Sequence, residues 1–151
     1  MTSASATPQL FSKISSLLTG FSETELKATG MLDTYYDTIL ANNSGDNIDF
    51  FFQNVSAILN APKQTDDDIE EGIRTQLMPD ISYNALAKNI IMLWYTGNLY
   101  DMAGPNPGFT SNVVNAESYK QGLMWTAAHS HPPGAKQPGY GSWANPPITL
   151  K

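Results

Sequence analysis

Two clusters in this chain carry side chains whose types could do chemistry. One is a run of carboxylates at Asp66, Asp67, Asp68, Glu70 and Glu71; the other is the imidazole pair His129 and His131. The carboxylates could hold a divalent cation, but the EF-hand arrangement needs a glycine at its sixth position and a glutamate at its twelfth, and neither falls in place. Acidic side chains in a first helical turn favour the positive end of the helix dipole without any ligand. The histidines alternate just after a helical segment, with no third ligand nearby. A catalytic imidazole would need a carboxylate to orient it and a nucleophile to serve, and no Gly-x-Ser-x-Gly or comparable signature is present. Histidines also suit the last carbonyls of a helix, and that reading accounts for both. No catalytic and no metal residue is therefore assigned.

Cofactor chemistry is equally unsupported. Gly97 and Gly104 lie in no dinucleotide fingerprint, so the chain has no phosphate loop with which to hold a flavin or nicotinamide of its own. There are no cysteines, which removes thiol catalysis, disulfides and cysteine-based zinc sites. Net charge is −6, with five basic and twelve acidic side chains in residues 1–97 and three basic and two acidic in 98–151. No basic patch exists to neutralise phosphates, so nucleic acid is excluded as a partner. No apolar run approaches the ~18 residues of a membrane span. Charged residues make up only 15% of the chain, below the usual ~25%. The near-neutral C-terminal third suits protein contact, because interface cores are depleted in charge.

The elements that must position any site read as helices. At 151 residues the chain is one domain by size, long enough to bury about 70% of its unfolded surface. Thr7-Pro8 offers an N-cap with proline at the first helical position, and Leu10, Phe11, Ile14, Leu17 and Leu18 follow on one face until Gly20. Ser22 and Glu25 form a capping box, with Phe21 placed to staple onto Leu26. That helix is expected to continue through Leu32, Tyr35, Tyr36, Ile39 and Leu40 to the break at Asn42-Asn-Ser-Gly45. A third helix from about Asp46 buries Ile48, Phe51, Phe52, Val55, Ile58 and Leu59 and stops before Pro62. Thr65 to Asp68 opens a fourth, with Ile69, Ile73 and Leu77 four residues apart and Pro79 closing it. A fifth starts near Ser82 and carries Leu86, Ile90, Leu93 and Trp94. Residues 101–110 read as a loop, and a sixth helix from about Asn115 carries Tyr119, Leu123, Met124 and Ala127. No segment of strand-like alternation competes.

The expectation is an all-α fold: a compact bundle of about six helices with an extended Pro/Gly-rich C-terminal tail. Residues 1–7 read as a disordered lead-in, 8–128 as the helical domain, and 129–151 as a tail packing on the domain or on a partner. The stretch from Trp94 to Pro147 holds all three tryptophans and seven of the ten prolines. Proline lowers the entropy lost when an extended segment docks, and Trp and Tyr dominate protein interfaces. Trp94, Tyr95, Trp125, Tyr140 and Trp143 are accordingly the candidate partner-contact residues. Trp94, Tyr95 and Trp125 are also compatible with ordinary core positions.

Several pieces in order resemble one family. Phe11-Ser-Lys-Ile-Ser-Ser-Leu-Leu-Thr-Gly20 is similar to an opening helix that ends in Leu-Thr-Gly. Leu93-Trp-Tyr-Thr-Gly97 is similar to a Trp-Tyr-x-Gly element. Tyr119-Lys-Gln-Gly-Leu-Met124 resembles Tyr-x-x-Ala-Leu-Met, and Trp143-Ala-Asn-Pro-Pro147 resembles a terminal Trp-Ala-x-x-Pro. These are features of the small subunit of FAD-dependent, membrane-bound sorbitol/fructose (sugar-alcohol) dehydrogenases. Gly122 stands where the pattern has alanine, Gly141-Ser142 lengthens the tail motif, and the family's tail cysteine and twin-arginine leader have no counterpart here.

The resemblance implies a cofactor-free helical subunit that supports folding, stability and export of a large FAD-bearing dehydrogenase, with a cytochrome c subunit passing electrons onward. It implies a periplasmic or membrane-associated location through the partner, or a cytoplasmic one if no leader exists. A stand-alone helical adaptor or chaperone with another protein partner is the alternative, and a homodimer is compatible with the low charge.

Overall fold

The computed structural model describes residues 6–102, 106 and 111–132. Its architecture is all-α. The elements in order are α1 (Pro8–Thr19), α2 (Glu23–Ala28), α3 (Leu32–Ala41), α4 (Gly45–Leu59), α5 (Asp66–Gly72, continuing as a π-helical turn over Ile73–Leu77), α6 (Ile81–Thr96), β1 (Asn98–Tyr100), β2 (Ser111–Val113), α7 (Ala116–Gln121) and α8 (Leu123–Ala127). α6 is the hub, in contact with α1, α3, α4, α7, α8 and β1.

Local chemistry places most helix ends where the sequence predicts them. The Thr7 side chain accepts from Leu10 N, and Gly20 closes α1 in the left-handed region with φ 78°. Capping boxes open α2 at Ser22 and α5 at Thr65. A third box opens α7 at Asn115, paired with Ser118. Ser44 and Asp80 cap α4 and α6. Each such cap satisfies backbone N–H groups that the first turn otherwise leaves unpaired.

The core is aromatic at its centre. Trp94 on α6 is fully buried, meets Tyr35 of α3 edge-on with ring centroids 4.9 Å apart, and stacks on Phe11 of α1 at 6.3 Å. Phe51, Phe52 and Val55 of α4 and Leu86, Ile90 and Leu93 of α6 surround this cluster in one continuous core. Ala6 packs against the same core.

Four features of the chain's path depart from the sequence-based expectations. The single helix expected from Ser22 to Leu40 is two helices, because Gly30 adopts φ 71° and breaks the run. Thr29 secures the break: its hydroxyl donates to Leu26 O and accepts from Met31 N. The fourth helix is α-helical only to Gly72, then widens into a π turn in which Met78 N–H reaches back to Ile73 O at 3.1 Å. Gly72 faces Ile58, whose Cγ2 would lie 2.9 Å from any added Cβ. A side chain at this position would have to displace the Ile58 methyl that packs there from α4.

The third departure is a short antiparallel ribbon beside the expected loop, with Asn98, Leu99 and Tyr100 of β1 opposite Val113, Asn112 and Ser111 of β2. At three residues a strand is too short to show alternation in sequence. Fourth, the helix expected from Asn115 is interrupted at Gly122, whose ψ of 127° is extended. Leu17 and Leu40, expected on apolar faces, are 42% and 37% exposed. The helix stripe is narrower than the run of leucines suggests.

Candidate partner interface

The predicted contact residues separate in the fold. Trp94 is a correction: it is 0% exposed at the centre of the core, held there by the rings of Tyr35 and Phe11. It cannot anchor a partner without unfolding the domain. Tyr95 and Trp125 are only partly buried and lie at one junction. Tyr140 and Trp143 lie outside the described residues, as does most of the 129–151 tail.

That junction is built from three distant stretches of chain. Tyr95, the penultimate α6 residue, donates its phenol O–H to Thr19 O at 2.8 Å, fastening the end of α1 to the end of α6. Its ring meets that of Phe21 edge-on, centroids 6.1 Å apart. Gly97 closes α6 with φ 72°. A Cβ there would lie 2.5 Å from the backbone C and O of Ser118. The contact is reinforced by Ser118 Oγ, which donates to Gly97 O at 3.0 Å, and by Val114 N–H to the same oxygen at 3.1 Å. Gly122 presses on the carbonyl of Tyr95, which would stand 2.8 Å from an added Cβ. Two glycines thus let α7 and α8 lie directly on the backbone at the end of α6.

Trp125 completes the arrangement. Its indole N–H donates to Tyr119 O at 2.8 Å, and its ring meets that of Tyr119 edge-on, 5.5 Å between centroids. With its polar atom satisfied, the indole presents an apolar face to a groove of about 280 Å³ between α2 and α8. Phe21, Ala28, Gly122, Leu123 and Pro132 give it apolar walls, while Glu25, Lys120 and His131 edge it with polar groups. Phe21, Gly122 and Leu123 were not among the predicted contact residues. Their signal was available only as neighbours of the motifs, since nothing local marks a residue as groove-lining.

Of the two clusters weighed for chemistry, Asp68 and His129 each hold a helix end. Asp68 accepts from Thr65 N–H and O–H at 2.8 Å each, and these bonds hold its carboxyl below the ordinary carboxylate range. Among the described residues no three His, Cys, Asp or Glu side chains come together to hold a metal. His129 takes φ 51°, the left-handed position just past α8. The following Ser130 N–H reaches back to Trp125 O at 2.8 Å. This is the cap that glycine usually provides, so His129 ends the helix through its backbone rather than its ring. No helix among the described residues is long and apolar enough to cross a membrane. The chain matches no protein-family model, no curated protein and no solved structure.

Proposed function

We propose that this chain is a non-catalytic helical subunit that binds and stabilises a large FAD-dependent sugar or polyol dehydrogenase. One observation carries the reading. Three of the four sequence pieces that resemble the small-subunit family lie far apart in the chain, yet they meet at the junction just described. The Leu-Thr-Gly end of α1 meets Trp-Tyr-x-Gly through the Tyr95–Thr19 bond, and the Tyr119–Met124 piece meets it through Gly122, which lies against Tyr95 O, with Ser118 just before that piece bonded to Gly97 O. Their meeting at one place supports reading them as parts of one contact unit.

The groove beside the junction offers apolar area with a polar edge, the pattern of a protein contact. In this reading the flavin belongs to the partner, a cytochrome c subunit takes its electrons, and this chain acts by mass action, covering the flavoprotein's apolar surface and favouring its folded state. The chain resides wherever the complex does, at the periplasmic face of the membrane.

Co-expression with a candidate flavoprotein tests the reading. The expected result is a co-purifying yellow complex with higher dye-linked dehydrogenase activity than the large subunit alone, weakened by Trp125→Ala. Absence of both co-purification and activity gain rejects it. A pull-down that returns a partner without flavin selects the adaptor alternative instead.

A further inference from the structure

We draw no further inference here: the strongest candidate, the outward face of α4 where the exposed Phe50 lies one turn from Asp46 and beside Asp49, is an unpartnered apolar side chain on a helix surface, and nothing in the structure shows what covers it.

Discussion

Gly20 and Gly97 both end helices with positive φ, near 78° and 72°, but their surroundings differ. Nothing lies within 4 Å of a Cβ added at Gly20, whereas at Gly97 it would strike the Ser118 backbone at 2.5 Å. Gly20→Ala should cost only the left-handed backbone penalty, about 1–2 kcal/mol. Gly97→Ala adds a steric overlap that only separation of α7 from α6 can relieve, so its loss in urea denaturation should clearly exceed that of Gly20→Ala and be accompanied by changed Trp125 fluorescence. The same geometry accounts for Gly122 at a position where the resembled pattern has alanine, since Tyr95 O leaves no room for a methyl. His129 makes a complementary case. Its positive φ is strained for a histidine, so His129→Gly should be neutral or stabilise by up to about 1 kcal/mol in thermal melts. A histidine with a catalytic role would not tolerate that change in an activity assay of the complex.

At the scale of elements, the helices depend on their caps more than on their length. α2 and α5 are six and seven residues long, too short to hold together in isolation. Their capping boxes lower the pKa of Glu25 and Asp68 through hydrogen bonds from Ser22 and Thr65. A carboxyl held below its unfolded value stabilises the fold above the ordinary carboxylate pKa of about 4, and that contribution is lost as pH falls through the folded value. Ser22→Ala and Thr65→Ala should each lower stability at neutral pH by about 1 kcal/mol. Both variants should also show a shallower loss of stability between neutral and acid pH than the parent, read from urea midpoints at several pH values. The π turn after Gly72 belongs to this scale too: Leu77 at its end is buried in the core while Gly72 rests on Ile58.

Across the whole molecule, stability converges on the α1–α3–α6 aromatic cluster. Tyr35 is 1% exposed, and burial raises its phenol pKa well above the ordinary tyrosine value. Its hydroxyl has no hydrogen-bond partner among the described residues. A phenol raised in the folded state keeps its full contribution below the unfolded pKa of about 10 and loses it as pH climbs beyond. The domain should therefore lose stability in alkali above pH about 10, and Tyr35→Phe should flatten that loss. At neutral pH the same substitution should cost less than about 1 kcal/mol or be stabilising, because it removes an unpaired buried polar group while keeping the edge-on contact with Trp94. Chemical denaturation followed at neutral and alkaline pH distinguishes these outcomes. Trp94→Ala, by contrast, should cost about 3–5 kcal/mol, which is the measure of how firmly this tryptophan belongs to the core.

Helix class, most starts and several stops were legible in the amino-acid order, because caps, prolines and one-face spacing act over a few residues. Thr7, Ser22, Thr65 and Gly20 announce their roles without tertiary help. The break at Gly30, the π turn after Gly72, the ribbon at Asn98–Tyr100 and the interruption at Gly122 were not legible, since each answers to a partner distant in the chain or to a local geometry that competes with helix continuation. Trp94 and Tyr95 show the same division most sharply. Adjacent in sequence and alike in chemistry, they were indistinguishable as contact candidates until the rotation of α6 turned one ring into the core and the other toward α1 and Phe21. Sequence alone determined that this chain is helical and that its C-terminal third is poor in charge. Which aromatic faces a groove was decided only by how the helices pack, because a side chain's exposure depends on what the rest of the chain lays over it.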